Sequence, residues 1–393
     1  PGDDNFFRLR AGRAISVAQD GLRPLFGAVA AAVRRHDREW LLFAELDAYG
    51  AAMGQPFPPE MPANSVNASH WYDASTLYLK TFDPDNFVDF FSGRRAAGEA
   101  AISRLYREDL AEKVALAQSF GPRGAPTLIG EFGIPFDLDD GASFAKWADG
   151  HRDPAIWRKQ ATLLALMYDA LDDLQASSAQ WNYTATNRND LAIGDGWNQE
   201  DLSIYSPDQH EDGAGLDSGG RAINGFCRPY PRHVQGTIAG YRFDRSTRSF
   251  GLFFDADPAV PAPTVVYVPR WVYPKGFSVS VAGADDCQVI IKDQLIQLTA
   301  LAAEAHRFQR PADLVGEIAE LLRDHRHQFG AQDEGAAVGV EVHLVAGLAG
   351  GGPVGMNLAL NLAALGGSHE AQYCRADIAT QMNREEKIGR AHV

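Results

Sequence analysis

Cysteine is scarce: Cys227, Cys287 and Cys374 are the only three in 393 residues, and they are far apart. Their spacing excludes a disulfide framework and a zinc site of the usual kinds. Eleven histidines are scattered, and none falls in an H-E-x-x-H arrangement. Positive charge is also short, with 36 Lys and Arg against 51 Asp and Glu and a formal net charge of −15. A balance so acidic argues against a phosphate-backbone partner, so nucleic acid is not expected. The first residues, Pro1-Gly2-Asp3-Asp4, contain no charged-then-apolar leader and no initiating Met. Residues 344–368 carry no formal charge, but the run from Gly350 to Pro353 would break a spanning helix. Neither a metal nor an organic cofactor is implied.

What is present is ample apolar content, 45% of the chain, and a length suited to two or three domains. Apolar residues at helical spacing predict a helix over 22–33 and further helices over 97–119 and 156–174. Between them lie short apolar runs at 40–44, 65–69, 127–129 and 178–183. Each run delivers polar or aromatic residues at its C-terminal end: Glu45, then His70 to Asp73, then Glu131, then Trp181 to Tyr183. Alternation of helix and short strand is the pattern of a parallel α/β fold. Residues 1–206 are therefore expected to form one domain with chemistry at the strand ends.

Beyond Ser206 the pattern changes. Residues 207–220 are rich in Gly, Asp and Ser and read as a linker or long loop. Short runs then follow at 235–241, 249–255, 264–268, 277–281 and 289–298, separated by turns, as in an antiparallel β-sandwich over 221–300. A helix is conceivable over 311–330. Residues 335–368 are rich in Gly, Ala and Leu with little period, so 301–393 receives no fold.

The strand ends bring together Glu45, His70, Tyr72, Glu131 and Trp181. Glu131 is presented between Gly130 and Gly133 and is followed at once by a turn at Pro135. Hydrolysis of a glycosidic bond with retention uses two carboxyl groups about 5–5.5 Å apart, one a nucleophile and one a proton donor. A nucleophilic Glu must keep its charge, which hydroxyl and imidazole donors such as Tyr72 and His70 would favour. A Trp at the next strand end supplies a flat apolar face for a sugar ring. Taken one at a time, His70 and Tyr72 are equally compatible with hydrogen bonding in the core, and Trp181 with filling the mouth of the fold.

Three stretches extend this reading: Asn67 to Asp73, Thr127 to Pro135, and Trp181 onward through Gly194 to Ile204. They resemble glycoside hydrolase family 5, most closely its endoglycoceramidase and steryl-β-glucosidase branch. Arg228 to Pro231, Gly236-Thr237 and Pro263 to Pro269 resemble the β-sandwich appended to those enzymes. The resemblance covers roughly residues 20–300. It implies that the four strands are the fifth to eighth of a (β/α)8 TIM barrel. It also implies that Glu131 is the catalytic nucleophile, that Tyr72 hydrogen-bonds it beside His70, and that Trp181 is the sugar platform. Asp195, Trp197 and Asn198 fall in the loop that shapes the sugar and aglycone cleft. The implied activity is a retaining β-glycosidase acting on a glycosylceramide or steryl glucoside. A β-glucanase acting on polysaccharide and a non-catalytic carbohydrate-binding protein are the alternatives.

One departure from the family pattern matters. Family members carry the acid/base in an Asn-Glu-Pro motif at the end of strand four, and this chain contains no Asn-Glu dipeptide. Glu45 invites the role but stands at the strand-five position. The simpler expectation is that strands one to four, with the proton donor, lie upstream of Pro1. At the other end, Lys387 to Val393 reads as translated sequencing adapter, so part of 301–386 is expected to be out of frame. Such a fragment is expected to be inactive alone. A glycolipid or β-glucoside is the expected partner, with peripheral contact to membrane lipid and no obligate protein partner. Related bacterial enzymes are usually exported, which makes secretion the expectation here.

Overall fold

The computed structural model describes residues 8–10, 12–197, 200–211, 213, 215, 217–282, 287–292, 294–300 and 339–346. The chain divides into two compact units, Pro1–Phe226 and Cys227–Val393.

In the first unit four short strands follow one another: β1 (Leu42–Ala44), β2 (Ser65–Asn67), β3 (Leu128–Phe132) and β4 (Ser177–Gln180). β1 pairs in parallel with β2, Asn67 bridges Thr127 in parallel, and β3 pairs in parallel with β4. The four therefore lie side by side in chain order, all pointing the same way. Parallel neighbours need crossover connections, and helices supply them. The helices are α1 (Arg23–Val33), α2 (Glu99–Leu116), α3 (Leu138–Ala148) and α4 (Arg158–Asp173). Pro24 lies in the first turn of α1, where it has no amide hydrogen to leave unpaired. α2 opens after Gly98 at φ +84°, a left-handed conformation that favours glycine.

The core beneath the strand ends is apolar. Ile102, Leu105 and Leu110 of α2 pack with Leu163, Leu164 and Met167 of α4 and with Ile129 and Phe132 of β3. α4 is the more deeply sunk helix, with eleven of its sixteen residues buried. At about 25 cal/mol per Å2 of apolar surface, a fully buried Leu contributes roughly 1.5–3 kcal/mol, so this helix pair anchors the unit.

The segment 207–220, expected as a linker or long loop, is closed at its base, where Tyr205 bridges Gly220 and Ser206 N–H donates to Gly219 C=O. Arg221 is entirely buried.

Among its described residues the second unit holds two four-stranded antiparallel sheets. Its strands are β5 (Tyr230–His233), β6 (Gly236–Asp244), β7 (Ser249–Ala256), β8 (Thr264–Tyr267), β9 (Phe277–Ala282), β10 (Cys287–Lys292), β11 (Leu295–Ala300) and β12 (Gly339–Ala346). One sheet runs β6-β7-β12-β9 and the other β10-β11-β8-β5. Phe250, Leu252 and Phe254 of β7 share a core with Val266 of β8 and Ile296 and Leu298 of β11. Their spacing by two is the inward face of a strand.

Two details differ from the sequence reading. The run 289–298 is a hairpin of two strands, with Lys292 opposite Leu295. Continuous β propensity hides the reversal there, because apolar alternation resumes on either side of it. Within the stretch that received no fold, 339–346 is an inner strand, paired with β7 on one side and β9 on the other. The rest of 301–393, including the helix considered over 311–330, lies outside the described residues. Among the described residues no helix is long and apolar enough to cross a membrane.

Candidate active site at the strand ends

Glu131 sits near the end of β3, half-buried, with Tyr72 and His70 arriving from the segment after β2. Tyr72 Oη donates to Glu131 Oε2 at 2.9 Å, and His70 Nδ1 lies 3.2 Å from the same oxygen. Among the described residues neither group meets Oε1. One carboxylate oxygen is thus held from two sides, and among the described residues no hydrogen bond reaches the other. Burial raises the Tyr72 phenol well above its usual range, and the charges of Glu131 and then Glu200 raise it further. The phenol therefore keeps its hydrogen and remains a donor to Glu131. A hydrogen bond to a charged acceptor of this kind is worth roughly 1.5–3 kcal/mol.

The glycines around Glu131 are explained by close approach. Neither has a left-handed φ. A Cβ on Gly130 would come within 2.5 Å of Ala68 C=O and 2.9 Å of the His70 ring, and one on Gly133 would stand 2.1 Å from Trp181 C=O. Glycine before Glu131 lets His70 close on the carboxylate, and glycine after it lets β4 deliver Trp181 alongside. Trp181 N–H donates to Phe132 C=O at 2.8 Å, and its peptide bond to Asn182 is cis. The segment that carries His70 and Tyr72 is fixed from below by Asp73. That buried carboxylate caps the helix 74–79 and accepts from Tyr106 Oη at 2.6 Å.

Asp195 is buried and fully engaged. It accepts from Asn182 Nδ2 at 3.0 Å, Asn187 Nδ2 at 2.8 Å and Leu202 N–H at 2.9 Å. Its oxygens knit the loop after β4 to the residue following Trp181. Trp197, on the same loop, is 65% exposed. Asn198 lies outside the described residues. Glu45 does reach the site: its Oε1 is 3.4 Å from His70 Nε2, so each ring nitrogen faces a carboxylate.

Sequence reasoning missed the layer beneath. Arg221 forms a wholly buried ion pair with Asp201, its Nη1 3.0 Å from Oδ2, and its Nε donates to Ser203 C=O at 3.0 Å. Its guanidinium lies 4.4 Å from the centre of the Phe136 ring. Burial pushes the Asp201 carboxyl up, while the hydrogen bonds and charge of Arg221 pull it down. A lone Arg in a Gly-rich stretch has no periodicity to mark it. Asn182 and Asn187 were missed for the same reason. Among the described residues no group of three or more His, Cys, Asp or Glu is arranged to hold a metal ion.

Residues 228–308 match the glycoside hydrolase family 5 C-terminal domain, which bears out the family resemblance of the sequence motifs. A glucosylceramidase of Cryptococcus neoformans var. grubii is 29% identical over 54% of this chain and 30% of its own length. An ergosteryl-beta-glucosidase of Saccharomyces cerevisiae is 30% identical over 37% of this chain and 19% of its own. The crystal structure of Cryptococcus neoformans sterylglucosidase 1 with tris shares the fold. Its TM-score is 0.66 at 21% identity, covering 85% of this chain and 45% of that one. The chain thus spans less than half the length of each of these proteins.

Proposed function

We propose that this chain is part of a retaining β-glycosidase of glycolipids, comprising strands five to eight of a (β/α)8 barrel and the appended sandwich. Glu131 is its nucleophile. The observation that carries this reading is the asymmetry at Glu131: Tyr72 and His70 both meet Oε2, and among the described residues none is bonded to Oε1, the oxygen that attacks. In that attack Oε1 bonds to the anomeric carbon, the bond to the departing aglycone oxygen breaks, and a proton donor supplies that oxygen with hydrogen. Water then reverses the sequence at the same carbon and releases Glu131. Donors fixed on Oε2 stabilise the carboxylate before attack and the ester afterwards without competing for Oε1.

Trp181 offers its ring as the sugar platform. Asp195 serves that platform by fixing Asn182 rather than by touching sugar. The proton donor belongs to strand four, outside this chain. Four parallel strands in chain order support the half-barrel, as does the open side of β1, where Trp40, Leu41 and Phe43 are each 54% exposed.

An apolar aglycone is favoured over a polysaccharide by the segments that follow β1 and β2. Tyr49, Tyr78, Phe90 and Phe91 form one exposed aromatic cluster there, with ring centres 5.3–6.3 Å apart along the Tyr78-Phe90-Phe91-Tyr49 path. Rings with an apolar body and, for Tyr, a polar tip suit a lipid presented at a water boundary. Export remains part of this proposal.

Trapping with a 2-fluoro-β-glucoside tests the nucleophile. A chain extended by the upstream coding sequence should be labelled on Glu131, and Glu131→Gln should abolish labelling. Label found on another residue would overturn the assignment. The 393-residue chain alone should not turn over a fluorescent β-glucoside, and measurable turnover would overturn the half-barrel reading.

A further inference from the structure

His70 faces two carboxylates at once, and only one of them has a place in the chemistry above. Nδ1 is 3.2 Å from Glu131 Oε2, and Nε2 is 3.4 Å from Glu45 Oε1. Glu45 follows β1 directly, is 47% exposed, and meets the ring nitrogen opposite the one that faces Glu131. A neutral imidazole has one N–H and one bare lone pair, so it can satisfy one carboxylate while opposing the other. A ring with hydrogen on both nitrogens donates in both directions. The ring is also confined from the side: Gly130 packs against it so closely that a Cβ there would lie 2.9 Å from Cδ2. Turning the ring over would exchange its nitrogens for carbons and place a carbon edge against each carboxylate.

We propose that Glu45 is a positioning residue. It holds His70 from the far side, in the ring orientation that presents a nitrogen to Oε2 of Glu131. The groups facing the ring are Glu45 from the β1 end and Glu131 from β3, with Tyr72 bonded to Glu131 from the ring's own segment. The role explains why a carboxylate stands at the end of β1 without needing it to be the missing proton donor. It rests on the nucleophile reading of Glu131 for its catalytic meaning, but the state of the ring can be read without any turnover.

Diethyl pyrocarbonate supplies that reading, because it acylates imidazole nitrogen only where a lone pair is free. The 393-residue chain and its Glu45→Gln and Glu45→Asp variants are treated at pH 7, and His70 is followed by peptide mass spectrometry. His36 and His151 serve as internal controls. Glu45→Gln keeps the size of the side chain and removes its charge, so His70 should react at least about threefold faster while both controls are unchanged. Glu45→Asp should react close to the parent rate, since it restores the carboxylate. Equal His70 rates in the parent and Glu45→Gln would overturn the proposal and leave the labelling of Glu131 untouched. Faster reaction at all three histidines would mean loosened structure and would overturn it as well.

Discussion

Glu131 and Asp201 are both carboxylates of the first unit, and the fold treats them in opposite ways. Glu131 stays about 29% exposed and receives Tyr72 and His70 on one oxygen. Asp201 is buried, and both its oxygens are taken by Arg221, with Asn187 adding a third bond. The first arrangement keeps a charge available, and the second uses one up. Burying a charge is tolerable only with a partner of opposite sign and satisfied hydrogen bonds. Asp201 and Arg221 meet that condition and so can brace the loop that follows Trp181. Glu131 need not meet it in full, because solvent reaches its carboxylate.

The comparison can be broken most severely at Arg221. Arg221→Met leaves Asp201 buried without its cation and is expected to cost about 3–5 kcal/mol of stability, read from urea unfolding. Glu131→Gln should change stability by no more than about 1 kcal/mol in the same assay, because that carboxylate is reached by solvent. Similar losses in both variants would erase the distinction.

A smaller effect is expected where the two regions meet. Gly133→Ala places a methyl against Trp181 C=O and should cost about 1–3 kcal/mol through overpacking. It should also shift Trp fluorescence, whereas Gly12→Ala, in open space, would leave the emission unchanged.

The smallest effect belongs to a third carboxylate. Asp109 is pushed up to about 6 by burial first and then by the charge of Asp89, with Arg94 opposing. Its unfolded value is about 3.9, so its favourable contribution is complete below about pH 4 and is lost as pH rises through about 6. Asp109→Asn should therefore gain stability relative to the parent as pH rises from about 4 to about 6, and the difference should level off above that. A difference that stays constant with pH would show that Asp109 titrates normally.

The chemistry-bearing residues were legible early because strand ends announce themselves: a short apolar run, then Glu131 between two glycines, then a turn. His70, Tyr72 and Trp181 followed from the same grammar, and Glu131, His70 and Tyr72 do meet. Asp195 was legible as a loop residue, but the sequence pointed it at substrate while the fold turns it inward to Asn182, Asn187 and Leu202. Nothing local distinguishes an Asp aimed at a ligand from one aimed at its own loop. The hairpin within 287–300 and the strand 339–346 were illegible for a related reason: pairing partners far along the chain decide where a strand ends or whether one forms.

The sequence by itself determined the four parallel strands and the helices over 23–33, 99–116 and 158–173, because the periods of helix and strand are local properties of side-chain placement. It also determined the glycines at 130 and 133, which a crowded strand end requires. The tertiary structure alone decided which oxygen of Glu131 is held, that His70 stands between Glu131 and Glu45, and that Arg221 lies beneath Asp201. Those are contacts between residues 20 to 61 positions apart, set by packing, and no pattern along the chain encodes the direction in which a side chain finally points.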